Sequence, residues 1–275
     1  KQQGKYYVPQ RAAAGLDPWA TPQAYDNAKD FFDTGITWSN SLNVAQMLDK
    51  SSYSISLGNT HQDGIISSTG MDRYNVKVSA DTKLTNNWSS GFTANYITTS
   101  IDKAVTSGNG LLRTVYAAPP SYDLAGIPSH VDGNPYTQNS FRGSFDNAYW
   151  AMDNNKFTED TNRFFGNVYA SYQTDFGTTN HKLNAKYMVG VDAYTTHYVD
   201  SYGYGSNTGG GRGQIENYGW TNATYNSLLT INYDWRINED WGLNAVLGNE
   251  IIQSNRKKYY EYGTNYNFPG WNHIN

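Results

Sequence analysis

Residues 183–193 read Leu183-Asn184-Ala185-Lys186-Tyr187-Met188-Val189-Gly190-Val191-Asp192-Ala193. Every odd position is apolar or aromatic, and the even positions are Asn, Lys, Met, Gly and Asp. Successive side chains of a strand point to opposite faces, so a period of two marks a strand with one apolar and one mixed polar face. The same alternation returns in seven other stretches: Ile36–Val44, Tyr53–Leu57, Tyr74–Ala80, Trp88–Tyr96, Phe164–Tyr172, Leu229–Trp235 and Trp241–Leu247. No stretch carries a convincing 3.6-residue stripe. The chain is read as all-β and antiparallel, with eight strands.

The connections carry a second pattern. Asp49-Lys50, Asn86-Asn87, Gly177–Asn180 and Asn238-Glu239-Asp240 are short polar turns. Between the pairs they join lie longer links, 61–71, 103–157 and 201–211. Short and long connections therefore alternate, as in transmembrane barrels with short periplasmic turns and long external loops.

Composition agrees. Only 38% of the 275 residues are hydrophobic, too few for a large conventional core, yet 15% are aromatic, 24 residues of them Tyr. Disordered chains are poor in aromatic and β-branched residues, so low hydrophobicity here does not mean disorder. No apolar run reaches the ~18 residues of a spanning helix, but barrel strands alternate and need no such run. The absence of Cys excludes disulfides, thiolate metal sites and a Cys nucleophile. A net charge of −4 argues against nucleic acid as the main partner.

Aromatics fall where membrane interfaces are expected. Trp88, Phe176, Trp235 and Trp241 sit beside the short turns and are read as an interfacial girdle. Tyr198, Tyr202, Tyr204, Tyr259, Tyr260 and Tyr262 lie towards the long-loop ends. Several candidate strands exceed the ~9–11 residues that cross a bilayer. Eight strands alone would enclose an interior only just wide enough for side chains. The expected architecture is therefore an arc of a wider barrel: 1–34 an external loop, 35–262 barrel wall including the external loop 103–157, and 263–275 the start of another loop. Both ends would lie outside the cell, and the chain is expected to be an excerpt. A complete eight-stranded barrel with a structural or adhesive role, and a soluble β-sandwich carbohydrate-binding module, are the alternatives.

Several stretches resemble the SusC/RagA family of TonB-linked outer-membrane transporters. The specific part is Phe31-Phe32-Asp33-Thr34-Gly35-Ile36-Thr37-Trp38-Ser39-Asn40-Ser41-Leu42, followed by Ser52–Ile66 and Met71-Asp72-Arg73-Tyr74-Asn75-Val76-Lys77-Val78. Asn162-Arg163-Phe164-Phe165-Gly166 and Leu247-Gly248-Asn249-Glu250 fit the same pattern. The resemblance implies a plugged barrel of about 22 strands in a bacterial outer membrane. It also implies a SusD-like surface lipoprotein as lid, TonB with its inner-membrane motor as energy source, and glycans or peptides as cargo. No TonB box and no plug are visible in these residues, so the excerpt is expected to supply wall and loops.

No catalytic constellation stands out, and the chain is not expected to be an enzyme or to hold a cofactor or metal. The five His residues are scattered without ligand spacing. Glu159 and Asp160 are adjacent and so face opposite ways on a strand. Gly209-Gly210-Gly211-Arg212-Gly213 lacks the Lys-Ser/Thr of a phosphate loop. The candidate ligand contacts are loop aromatics, Tyr149 and Trp150 at the close of the longest loop and Trp220 at the mouth of a strand. Their flat rings offer apolar contact with a polar handle, although girdle or loop packing is the commoner role of such rings.

Overall fold

The computed structural model describes residues 4–105 and 110–274. In chain order its elements are β1 (Tyr6–Tyr7), α1 (Pro9–Ala13), β2 (Trp19–Ala20), α2 (Asn27–Phe31), β3 (Thr37–Met47), β4 (Ser51–Asp63), β5 (Gly70–Lys83), β6 (Trp88–Asp102), α3 (Leu111–Ala117), β7 (His130–Val131), β8 (Asn134–Gln138), α4 (Ala148–Asn154), β9 (Lys156–Thr174), β10 (His181–Tyr202), β11 (Gln214–Arg236) and β12 (Gly242–Thr264). The eight long strands β3–β6 and β9–β12 form one antiparallel sheet in chain order. β3 and β12 are its two edges and do not pair with each other. The described residues therefore form neither a closed small barrel nor a sandwich of two packed long-stranded sheets. No helix among them is long and apolar enough to cross a membrane.

The alternation read from the sequence holds across every strand pair. Val44, Ile55, Val78, Ala94, Gly166, Val191 and Tyr225 are matched rank by rank and share one face. Lys77, Asn95, Phe165, Asp192 and Thr224 belong to the opposite face. The apolar face is uncovered: Val168, well inside β9, is 53% exposed and Ile251 on the edge strand β12 is 61% exposed.

The buried hydrophobic core lies beyond one end of the sheet. Val8, Phe31, Leu111, Val115, Tyr122, Leu124, Ile127, Ala148, Trp150 and Ala151 cluster there, from the amino-terminal segment and the β6–β9 connection. We call this assembly the cap. Its helices start at identifiable signals. Asp26 accepts from the Lys29 amide (3.1 Å) to cap α2, Asn147 accepts from the Tyr149 and Trp150 amides (3.0 and 3.3 Å) to cap α4, and Pro9 opens α1. These helices have only five to seven residues, too short to print a 3.6-residue stripe on the sequence.

Two boundaries differ from expectation. Phe31, where the family-like stretch begins, closes α2 and is buried in the cap, and the strand begins at Thr37. The expected long link 61–71 shrinks to residues 64–69, because β4 and β5 stay paired out to Asp63 and Gly70. That connection is no longer than the 175–180 turn, so the contrast in loop length rests on 103–155 and 203–213.

Candidate functional site

The cap end of the sheet carries an aromatic ladder on its polar face. In register, Tyr198 of β10 opposes Tyr218 of β11, which opposes Tyr260 of β12. Tyr198 and Tyr218 stack at 4.9 Å with planes 6° apart, and Tyr260 lies 6.5 Å from Tyr218. Trp220 stands one rank nearer the turns on the same face, 5.5 Å from the Tyr198 ring. Each ring pair of this kind contributes about 0.5–1.5 kcal/mol beyond area burial.

Charge is distributed unevenly around the ladder. On the β9 and β10 side, Glu159 pairs with Lys103 at 3.4 Å, the Lys103 ammonium sits 4.5 Å over the Tyr198 ring, and Asp200 accepts the Tyr218 hydroxyl at 3.1 Å. On the β12 side lie Arg256, 4.7 Å over the Trp220 ring, and Lys258, directly opposite Trp220 in the register. The Trp220 indole N–H is buried and has no hydrogen-bond partner among the described residues. Nearer the turns, the polar face holds a groove of about 590 Å³ lined by Lys77, Asn95, Phe165, Met188, Asp192 and Ile252. Beside it, Arg163 grips Asp192 with two hydrogen bonds of 2.8 and 2.6 Å. Among the described residues, no group of three or more His, Asp or Glu is arranged to hold a metal ion.

The candidates singled out by sequence separate into two regions. Trp220 belongs to the ladder. Trp150 is only 1% exposed, donates its indole N–H to the Pro135 carbonyl at 2.9 Å and sits in the cap core, so its ring offers no open surface to a ligand. Tyr149 is half-buried against Phe31, with ring centroids 5.3 Å apart, and its hydroxyl reaches the Asp30 carbonyl at 3.2 Å. Burial, aided by the charges of Asp30, Asp33 and Asp123, raises the Tyr149 hydroxyl above its ordinary pKa. Both residues follow the Asn147 cap and tie α4 to the rest of the cap, Trp150 through the core and Tyr149 through Phe31 and Asp30.

Tyr198, Tyr202, Tyr260 and Tyr262, grouped by sequence with the long-loop ends, are on the polar face, whereas Tyr259 is on the apolar one. Parity could have separated them, since the register runs unbroken from Val191 and Ala193 to Tyr198. Tyr218 and Arg256 were not singled out at all. They become visible only when three strands are laid side by side. Trp88, Phe176, Trp235 and Trp241 all sit at the turn end, with Trp88 packed 5.0 Å from Tyr172 and Trp235 stacked 5.7 Å from His181.

No protein-family model matches the chain, and no curated protein matches it in sequence. Solved structures match its fold. The chain superposes on a RagAB peptide importer in its closed-closed state with a TM-score of 0.70 and 17% identity, covering 89% of this chain and 27% of that one. The open-open state gives 0.69, 17%, 89% and 28%, and a further RagAB peptide transporter structure gives 0.67, 15%, 89% and 27%. The chain thus spans about a quarter of the length of those chains, and it shares the fold of part of such an importer.

Proposed function

We propose that the chain forms part of the wall and outer loops of a bacterial outer-membrane importer of oligopeptides or oligosaccharides. The observation that carries this reading is the uncovered apolar face running through all eight strands, opposite a polar face with a ladder and a groove. Hydrocarbon would cover the first face and a wet conduit the second. On this reading Trp88, Phe176, Trp235 and Trp241 form the aromatic girdle of the turn-end interface. The fold likeness to a peptide importer supports import and favours peptide cargo. The resemblance to SusC/RagA transporters adds a SusD-like lipoprotein over the cap end and TonB as energy source. The chain binds and conducts, and it carries out no covalent chemistry.

Uptake tests this directly. Cells that make the protein should accumulate fluorescent oligopeptides or oligosaccharides, and should cease to do so when the gene or TonB is removed. The reading is wrong if the protein fractionates away from the outer membrane, or if its deletion leaves uptake of both cargo classes unchanged.

A further inference from the structure

Three donors converge on the β12 side of the ladder, and nothing in the described residues accepts from them. The Trp220 indole is a donor only, as are the guanidinium of Arg256 and the ammonium of Lys258. The ion pairs of the described residues involve His61, Lys103 and Arg163, so neither β12 cation is neutralised by a carboxylate. The acids of this face around the site have partners of their own: Asp192 is held by Arg163, Asp200 by the Tyr218 hydroxyl and Glu159 by Lys103, while Glu216 lies towards the Tyr260 hydroxyl. Arg256 and Lys258 lie two positions apart on one strand, roughly 7 Å along the same face. Arg256 is exposed and its guanidinium lies over the ring that carries the orphan indole N–H, so cation and donor belong to one spot on this face.

We propose that Trp220, Arg256 and Lys258 form an anchoring point for a carboxylate on the imported oligomer, with Tyr218 and Tyr260 supporting the adjacent apolar surface of the ligand. The proposal rests on the import reading and narrows its cargo to anionic oligomers. A group that only accepts hydrogen bonds matches a site that only donates them, and charge-assisted bonds of this kind are short and strong. Two sources share this chemistry, the carboxylate of a peptide and that of an acidic sugar.

The test uses the full protein in detergent, with four probes measured by calorimetry. Acetyl-tetraalanine carries a free carboxyl terminus and is compared with its carboxyl-terminal amide. Trigalacturonate is compared with its methyl ester. One acid should bind at least about tenfold more tightly than its neutral partner, and the pair that shows it identifies the source. The preference should weaken with added salt. It should fall to near unity in the double variant Arg256→Gln/Lys258→Gln and decline part-way in Trp220→Phe, which keeps a ring but loses the donor. Equal binding of acid and neutral forms, no binding of any probe, or a double variant that keeps the preference overturns the proposal. If Arg256 merely shields the Trp220 ring, Arg256→Gln lowers the melting temperature without moving the preference, which also overturns it. Uptake of neutral oligomers in the same cells separates the two readings: import without charge preference removes the anchor alone, whereas no dependence of any uptake on the protein removes the importer.

Discussion

At one end of the sheet the chain turns back within a few residues, and three of the four turns are closed by a side chain of their own. Thr85 Oγ1 accepts from the Asn87 and Trp88 amides (3.2 and 3.0 Å), Asp175 Oδ1 from the Gly177 amide (2.9 Å), and Asn238 Oδ1 from the Asp240 and Trp241 amides (3.0 and 2.8 Å). At the other end, segments more than a hundred residues apart build a common core. Tyr6 donates to the Ser121 carbonyl, Asn139 to the Gln10 carbonyl, and the Asp146 carboxylate gathers Gln138, Ser206 and Asn207 onto itself at 2.6–2.8 Å. The first end is held by local hydrogen bonding and the second by hydrophobic burial. Damage should therefore stay local at the turns and spread through the cap.

The largest expected effect is Trp150→Ala. Emptying a fully buried aromatic site costs about 3–5 kcal/mol. Hydrogen exchange should rise across 110–155 and 203–213, while protection at the turn end of β9–β12 is unchanged; a rise confined to α4 would break the picture of one shared core. Next comes Val168→Arg on the apolar face, expected to cost about 2–4 kcal/mol in a membrane, against little for its polar-face neighbour Asn167→Arg. Refolding into lipid vesicles measures both, and equal costs would remove the distinction between the faces.

A smaller effect of opposite sign is expected at Tyr122 in the cap. Its hydroxyl has no hydrogen-bond partner among the described residues, so Tyr122→Phe should stabilise the cap by about 1 kcal/mol. Burial, with Asp123 nearby, pushes this hydroxyl up to about 12 from 10.0. The folded state thus holds the proton that the unfolded chain releases, and stability is lost as pH rises from 10 towards 12. Alkaline unfolding followed in both proteins should show a smaller loss in Tyr122→Phe than in the parent, the remainder coming from groups such as Tyr149. An effect of comparable size, but confined in space, belongs to the turns. Gly177 sits at φ +72° with nothing near its missing Cβ, so Gly177→Ala should cost only about 1–2 kcal/mol of backbone strain, confined to the 175–180 turn.

The sheet was readable from residues 183–193 and their echoes because a strand's two faces are written in adjacent letters. The cap was not. Its helices are shorter than the pattern that reveals helices, and its core draws Val8, Phe31, Leu124 and Trp150 from places no local window spans. The ladder fell between these cases. Trp220 stood out as an isolated ring, but the partners that give it meaning, Tyr218 beside it and Arg256 and Lys258 on the next strand, are a matter of register.

The turns do not end level with one another. Met47, at the β3–β4 turn, is aligned through the register with Leu228 of β11, yet β11 continues eight positions further, to Arg236, before its own turn. Eight residues at ~3.3 Å, gained over six spacings of ~4.8 Å, incline the strands by roughly 40° to the normal of the line of turns. Bilayer-spanning barrel strands lean by about the same angle. Residues paired across strands therefore lie at different distances from the line of turns. If the line of turns lies along the membrane surface, the energetic contours of a charge scan would run diagonally over the sheet, crossing about one residue per strand; because a one-residue step changes face, the apolar-face equivalents of Val168 would recur on every second strand, about two residues off register.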